Sequence, residues 1–180
     1  MPSKQNVQID FDIAALFEAL DSQRRNRALS WQGVARELWD LSAALNAQRG
    51  DHPISASTLT GMVKRRDTTC QHALFMLRWL RRTPESFMPG STVDAQRTAL
   101  PFVGPDQRLR WDLQKLYEAL DSQRRERSFT WLQLAHELQC SPSQLSGIKR
   151  ARFAIGMRLA MRIVTWLGRP ASDFVHAANW

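Results

Sequence analysis

A short polar run in the C-terminal half of the chain carries side chains that can recognise another molecule. It contains small hydroxyls, one amide and two cations, in Ser141, Ser143, Gln144, Lys149 and Arg150. Leu145 and Ile148 lie three positions apart, so on a helix both would turn inward and leave the polar groups outside. A helix with such an outer face can enter the DNA major groove, where glutamine pairs with adenine edges and arginine with guanine or phosphate.

A second polar run with the same layout occurs in the N-terminal half. On an offset of 86 residues, Ser55, Ser57 and Thr58 match the hydroxyls and the amide of the later run. Both runs lead into basic residues at the same place, which favours contact with a polyanion over a merely solvated surface. The residues predicted to contact DNA are Ser55, Ser57, Thr58, Lys64, Arg65 and Arg66 in the first run, and Gln133, Ser141, Ser143, Gln144, Gly147, Lys149, Arg150 and Arg152 in and around the second.

These runs belong to an internal repeat. The same seven residues, Ala-Leu-Asp-Ser-Gln-Arg-Arg, occupy positions 19–25 and 119–125. The apolar positions upstream also match, and their spacing predicts an amphipathic helix in each copy. They are Ile13, Leu16, Phe17 and Leu20 in one copy and Leu113, Leu116, Tyr117 and Leu120 in the other. The chain is therefore one helical unit present twice.

Each copy is predicted to contain five helical elements. Ser30 can cap a second helix in the first copy. Ser141, Pro142 and Gln144 form a strong start for the third helix of the second copy, with a cap, a proline and a glutamine three residues after the cap. A fourth apolar helix and a closing turn follow in both copies, at 73–80 and 84–87 and again at 160–167 and 170–174. The predicted fold class is all-α, with two tandem five-helix bundles.

The repeat divides the chain into two predicted domains, residues 1–88 (the first repeat) and 107–180 (the second repeat). Residues 89–106 (the linker) contain several prolines and glycines, which interrupt helices and strands. Within the linker, Phe102 and Val103 are the residues expected to pack on a domain surface.

The first repeat has 14 extra residues, 40–53 (the insert), because the offset between the copies falls from 100 to 86. Leu41 and Leu45 continue the apolar face that includes Leu38. This pattern predicts that the insert lengthens the second helix to about Gln48 and that Gly50 ends it. The lengthened helix would offer a surface for self-association.

The composition favours a polyanionic partner. The chain holds 25 Lys and Arg against 17 Asp and Glu, a net charge of +8, which is typical of proteins that bind nucleic acid or an anionic membrane. The cationic excess is 12 against 6 in the second repeat and 12 against 9 in residues 1–88, so the second repeat is expected to bind DNA more strongly. No run approaches the roughly 18 apolar residues of a membrane span, and the N-terminus lacks the pattern of a signal peptide, so a cytoplasmic, nucleoid-associated protein is expected.

The stretch at 130–146 resembles the lambda-repressor-like helix-turn-helix domains of the Cro and xenobiotic-response-element type. It matches that family's second helix, turn and recognition helix, and 157–174 resembles its fourth helix and closing turn. The resemblance implies helix-turn-helix bundles whose third helix enters the major groove, usually as a dimer on a two-fold operator. The chain departs from the family at the turn glycine, which is Gln139 here and Trp39 in the first repeat. It departs also at the polar residue that opens the second helix, Trp131 or Trp31, for which Gln133 or Gln32 can substitute.

The repeated arginines and tryptophans are expected to be structural. Arg24 and Arg124 are predicted to bridge the first helix to a carboxylate such as Glu37 or Glu137, with phosphate contact as the alternative. Two pairs of tryptophans occupy matching positions in the repeats. Trp31 and Trp131 are expected in the core. Trp79 and Trp166 are expected either in the core or at a domain or dimer surface.

No metal, cofactor or catalytic site is predicted. Cys70 and Cys140 occupy positions of the two repeats that do not match, so a disulfide framework is not expected, and Cys140 is predicted to be a buried thiol. Cys70 with His72 and His52 lacks the second ligand pair of a zinc site. The sequence shows no recognisable combination of a nucleophile, a base and an orienting group, and no glycine-rich phosphate loop. The chain is therefore not expected to be an enzyme.

The sequence thus predicts a regulator of transcription, a repressor by preference, that binds specific double-stranded DNA. Two architectures are compatible with this prediction: a single chain that acts as a pseudo-dimer with its reading helices about 34 Å apart, or a homodimer held by the first repeat in which only the second repeat reads DNA. The rival function is an antitoxin or adaptor whose helix-turn-helix holds a protein partner. Binding of single-stranded nucleic acid is disfavoured, because the sequence offers no exposed aromatic platform.

Overall fold

The computed structural model describes residues 9–90, 97–150 and 155–180 of the chain. The first repeat contains α1 (Ile13–Asn26), α2 (Trp31–Asp40), α3 (Ala43–Asn46), α4 (Ala56–Thr60), α5 (Met62–Arg65), α6 (Cys70–Leu80) and a 3-10 turn (Pro84–Phe87). The second repeat contains β1 (Arg108–Trp111), α7 (Leu113–Glu126), α8 (Trp131–Glu137), α9 (Pro142–Arg150), α10 (Met157–Leu167), a 3-10 turn (Ala171–Phe174) and β2 (Val175–Ala178). The protein is mostly helical, as the sequence predicts.

Side-chain caps begin the first two helices of each repeat. Asp12 accepts a hydrogen bond from the N–H of Ala15 at 2.9 Å, and Asp112 does the same at the start of α7. Ser30 accepts one from the Gly33 N–H at 3.0 Å. Each cap satisfies a backbone donor that has no partner inside its own helix. The predicted start of the second helix at Ser30 is therefore confirmed.

The prediction that the insert lengthens the second helix is wrong. The second helix ends at Asp40, and a separate short helix, α3, follows. In a continuous helix the Leu45 N–H would donate to the Leu41 carbonyl. Here that N–H donates to the Pro105 carbonyl instead, at 3.1 Å, and the Leu41 carbonyl accepts from Arg78 at 2.7 Å. Contacts with distant residues thus outweigh the local apolar pattern.

A small antiparallel sheet departs from the predicted all-α class. Strand β1 pairs with β2 in the register Arg108↔Ala178 to Trp111↔Val175. Strand β1 immediately precedes α7, and β2 immediately follows the closing turn of the second repeat. The polar and apolar residues of β1 do alternate, in the order Arg-Leu-Arg-Trp, but four residues are the lower limit at which alternation indicates a strand.

The two repeats meet at equivalent positions. On an offset of 87, Thr69 at the start of α6 matches Gly156 at the start of α10, and these residues form an isolated antiparallel bridge. The Cys70 N–H donates to the Ile155 carbonyl and the Met157 N–H to the Thr68 carbonyl, both at 2.7 Å. Pairing of a residue with its own counterpart is the geometry of a two-fold contact. Buried side chains of both repeats form one continuous hydrophobic cluster.

The linker also packs on the structure in part. Val103 is buried, as expected, whereas Phe102 is 95% exposed, so only one of the two predicted contacts is present. Residues 91–96 lie outside the described part of the chain. Among the described residues, no helix has both the length and the apolar character needed to cross a bilayer.

Candidate nucleic-acid interface

Helix α9 has the two-faced character that its sequence predicts. Leu145 and Ile148 are buried, and each is surrounded in sequence by exposed positions. The predicted contact residues that lie exposed are Ser141, Ser143, Gln144, Gly147, Lys149 and Arg150. Arg152 lies outside the described residues. The helix thus offers a continuous polar surface to another molecule.

A capping box begins α9 and holds the Gln144 side chain. Gln144 Oε1 accepts a hydrogen bond from the Ser141 N–H at 2.8 Å, and Ser141 Oγ accepts one from the Gln144 N–H at 3.2 Å. Bidentate pairing with adenine needs both Oε1 and Nε2 of a glutamine. Because Oε1 already serves the cap, Gln144 offers a ligand its Nε2 donor rather than the predicted donor–acceptor pair.

Gln133 is held in the same way at the start of α8. Its Oε1 accepts from the Thr130 N–H at 2.8 Å, and Thr130 Oγ1 accepts from the Gln133 N–H at 3.2 Å. The Nε2 of this exposed side chain remains as a donor. An amide donor suits a phosphate oxygen, which only accepts hydrogen bonds. Helices α8 and α9 therefore both begin with a capping box, and each presents one side-chain amide donor.

A groove between α8 and α9 is lined in part by His136, a residue that the sequence did not indicate as a candidate for ligand contact. His136, Gln139, Cys140, Ser141 and Gln144 line an open groove of about 550 Å³. His136 is exposed on the outer face of α8, where an imidazole can donate to an anion. Its position five residues before Ser141 was the signal that could have identified it.

Gln139 adopts the backbone conformation for which glycine is usual. Its φ is +50°, in the left-handed region that L side chains rarely adopt. Trp39, the matching residue of the first repeat, lies within α2. A residue with positive φ thus lies in the short connection between α8 and α9, whereas in the first repeat the insert lies between α2 and α4.

The corresponding surface of the first repeat shares its cap but not its helix. Ser55 Oγ accepts from the Thr58 N–H at 3.2 Å and lies 2.9 Å from the Ser57 hydroxyl, as Ser141 does with its neighbours. The third helix is interrupted at Gly61, which separates α4 from α5. Thr58 is only half-exposed.

The basic cluster of the first repeat lies beside this interrupted helix. Lys64, Arg65 and Arg66 are all exposed. Arg65 folds back onto α4, since its Nη2 donates to the Thr58 carbonyl at 2.8 Å. The Arg66 carbonyl accepts a hydrogen bond from Arg158 of the second repeat at 3.5 Å. This surface is cationic, but it offers a shorter regular helix than α9 does.

Lys149 lies against an aromatic ring of the second repeat. Its Nζ is 5.8 Å from the centroid of the Tyr117 ring, within the range of a cation–π contact. Such a contact holds the ammonium group near α7 while the side chain remains exposed. Arg150, next along α9, is also exposed and extends the cationic end of the helix.

The heptapeptide arginines bind within their own repeat, but to a different carboxylate from the one predicted. Arg24 pairs with Asp21 at 2.6 Å, and Arg124 pairs with Asp121 at 2.7 Å. Glu37, the predicted partner of Arg24, instead accepts from Arg27 at 2.8 Å. The pairs in the heptapeptide span three positions on one helix, which brings the side chains together without any tertiary contact.

The repeated tryptophans differ in how deeply they are buried. Trp31 and Trp131 are half-buried and stack on Phe17 and Tyr117, with ring centroids 5.2 Å and 5.5 Å apart. Trp79 is buried, and its Nε1 donates to Glu37 at 2.9 Å; its counterpart Trp166 is half-buried. None of these rings is a fully exposed platform for nucleotide bases.

The cysteines are poorly placed for redox chemistry. Cys70 is fully buried at the start of α6, and burial raises the pKa of its thiol to about 12. Cys140 is half-buried rather than fully buried, and burial raises the pKa of its thiol as well. A raised pKa leaves little of the reactive thiolate. Among the described residues, no three His, Cys, Asp or Glu side chains cluster in a way that could hold a metal ion.

No family model, curated protein or solved structure matches this chain.

Proposed function

We propose that the protein binds double-stranded DNA in a sequence-specific manner and regulates transcription, most simply as a repressor. The observation that carries the proposal is the outer face of α9, which is exposed and mostly polar, with two cations at its C-terminal end, while Leu145 and Ile148 are buried beneath it. Hydroxyls and an amide donor can contact base edges, and Lys149 and Arg150 can neutralise phosphates. The net charge of +8 supports a polyanionic partner.

In this proposal one chain acts as a pseudo-dimer of two helix-turn-helix bundles. Support comes from the matching caps at Ser55 and Ser141 and from the bridge between the equivalent residues Thr69 and Gly156. A two-fold arrangement of reading elements suits a two-fold operator. The second repeat contributes the stronger contact, because its third helix is uninterrupted and its charge is higher.

Selection of bound fragments from a pool of random duplexes tests the proposal. A sequence-specific protein yields one enriched motif, and its affinity for that motif falls with salt in proportion to the phosphates contacted. Light scattering on the complex then distinguishes a monomer on two half-sites from a homodimer. Recovery of no motif, with weak and salt-dependent binding to every duplex, would reject sequence-specific regulation.

A second candidate function is supported by one exposed apolar side chain beside the polar surface. Leu132 on α8 is 69% exposed, next to Gln133. A protein partner bound over α8 would bury this side chain, so an antitoxin or adaptor that holds a protein partner through α8 is the alternative. Loss of partner binding in Leu132→Asp, with duplex affinity retained, would favour it.

A further inference from the structure

The insert binds the end of the linker and the start of the second repeat rather than extending a helix into solvent. The Ser42 hydroxyl donates to the Gln107 carbonyl at 2.6 Å, and the Leu45 N–H donates to the Pro105 carbonyl at 3.1 Å. Ser42 is fully buried. Because the second repeat lacks these 14 residues, this contact joins the repeats on one side only.

Arg108, the first residue of β1, is buried against the insert. Only 4% of its surface is exposed. Its guanidinium donates to Asp51 at 3.0 Å and to Asn46 at 2.7 Å, and it lies 5.2 Å from the Trp39 ring and 5.7 Å from the Phe75 ring. Burial of a cation is costly unless it is paired and hydrogen-bonded. Both of its polar partners come from the insert, so Arg108 fits this place only when the insert is docked.

Arg78 on α6 contacts the same region, in which the insert meets the linker and Arg108 (the junction). Its guanidinium donates to the carbonyls of Leu41 at 2.7 Å, Val103 at 3.0 Å and Gly104 at 3.0 Å. One side chain therefore binds the insert and the linker together. On the offset of 87 its counterpart is Thr165, which is exposed. The junction is thus specific to the first repeat.

Strand β1 connects the junction to the rest of the second repeat through its hydrogen bonds. It pairs with β2 along its whole length. On its other side, the Gln71 amide donates to the Leu109 carbonyl at 2.8 Å, and Trp111 Nε1 donates to the Cys70 carbonyl at 3.1 Å. Contacts therefore run without a break from α2 through the insert and β1 to β2.

We infer that the insert, held through Arg108 and Arg78, acts together with the shared core and the bridge between α6 and α10 to fix the separation and angle of the two DNA-contacting surfaces, so that the protein selects DNA by the spacing of its two half-sites. This inference rests on the proposed function. A flexible connection between two binding surfaces tolerates many spacings, whereas a rigid one accepts a narrow range. Arg108 and Arg78 are positioning residues in this scheme, because they act through the junction and not through contact with DNA.

The test measures duplex affinity as a function of half-site spacing. The probes are synthetic duplexes that carry the two half-sites of the selected motif, with centres separated by about 8 to 14 base pairs in single steps, bracketing one helical turn, and duplexes with either half-site alone. The variants are Arg108→Met and Arg78→Met. Arg110→Met is the matched control: Arg110 is also on β1, and its side chain donates to the Trp180 carbonyl rather than to the insert, so the same charge is lost without opening the junction.

The wild type and Arg110→Met are expected to prefer one spacing by about tenfold or more over spacings two base pairs away. In Arg108→Met and Arg78→Met the preference falls to about threefold or less, while affinity for the single half-site is unchanged. Exchange of the Leu45 amide hydrogen, which is slow when it donates to Pro105, quickens in the same two variants. The pair Asp51→Asn with Asn46→Ala opens the junction from the insert side if Arg108→Met does not fold.

Two results would overturn the inference: a wild type that binds all spacings equally, or variants with rapid Leu45 exchange that keep the wild-type spacing profile. Failure of the wild type to bind any selected half-site is a different outcome, because it rejects the proposed function itself.

Discussion

The carboxylate of Asp67 caps a helix of the other repeat: its Oδ1 accepts a hydrogen bond from the N–H of Arg158 at 3.2 Å, at the start of α10. Gly156, the N-cap residue of α10, has no side chain to do this, whereas its counterpart Thr69 caps α6 through the His72 N–H. A Cβ at Gly156 would collide with the Asp67 carboxylate. Glycine at this position therefore makes room for a cap supplied by the first repeat.

The cap predicts a difference between two substitutions of Asp67. Asp67→Asn keeps an acceptor oxygen and Asp67→Ala removes it, so we expect the Asn variant to be more stable by about 1 kcal/mol. Urea unfolding at pH 7 measures the difference. Equal stabilities would show that the Arg158 hydrogen bond contributes nothing.

The pH dependence of the wild type reports on the same carboxyl. Burial raises the pKa of Asp67, and the hydrogen bonds from Arg158 and Thr68 offset this only in part. A carboxyl whose pKa is raised on folding stabilises the protein below its ordinary pKa, and this contribution is lost as the pH rises through the folded-state value. We therefore expect the wild type to gain stability relative to Asp67→Asn when the pH is lowered from 7 towards 3, as measured by urea unfolding at both pH values.

Asp10 has the opposite dependence. Burial acts to raise the pKa of its carboxyl, but hydrogen bonds from Arg162 and Arg158 outweigh burial and lower it; Arg162 pairs with it at 2.7 Å. The stabilisation is therefore present above the ordinary pKa and is lost as the pH falls through the lowered one. We expect Asp10→Asn to destabilise the protein by about 1 to 2 kcal/mol at neutral pH and by less at pH 3. The exposed Asp40→Asn is the control, and an equal loss at both pH values would contradict the assignment.

A substitution of Gln144, the capping glutamine of α9, distinguishes an effect on stability from an effect on DNA affinity. Gln144→Glu keeps an oxygen for the Ser141 N–H but replaces the Nε2 donor with an anion. We expect the free energy of unfolding to change by less than about 0.5 kcal/mol, and affinity for the selected duplex to fall by about tenfold or more. Fluorescence anisotropy and thermal unfolding measure the two quantities. Unchanged duplex affinity would remove Gln144 from the interface.

The heptapeptide arginines differ in role although they are neighbours. Arg124 donates to the Phe129 carbonyl at 2.6 Å and lies 4.5 Å from the Trp131 ring, whereas the Arg125 side chain is 73% exposed. We expect Arg124→Gln to lower the free energy of unfolding by about 1 to 2 kcal/mol, and Arg125→Gln to change it by less than about 0.5 kcal/mol. Chemical unfolding of both variants checks this contrast. A comparable loss in both would contradict a structural role specific to Arg124.

The sequence by itself determined the features that depend on neighbours within one helical turn. The caps at Ser30 and Ser141, the buried positions of Leu145 and Ile148, and the exposure of Gln144 all follow from spacing, because each is decided by residues three or four positions away. The repeat carries the caps and the buried positions over to the first copy, at Ser55, Leu59 and Met62, but not the exposure of Gln144, whose counterpart Thr58 is half-exposed.

Only the tertiary structure decided where the insert binds and what the strands pair with. Leu41 and Leu45 have the pattern of a continuing helix, yet the Pro105 carbonyl and Arg78 take the hydrogen bonds that would extend it. Arg108 meets Asp51 across 57 positions. No local rule encodes such pairs, because the free energy of burying a charge or a backbone group depends on which distant partner the fold brings to it.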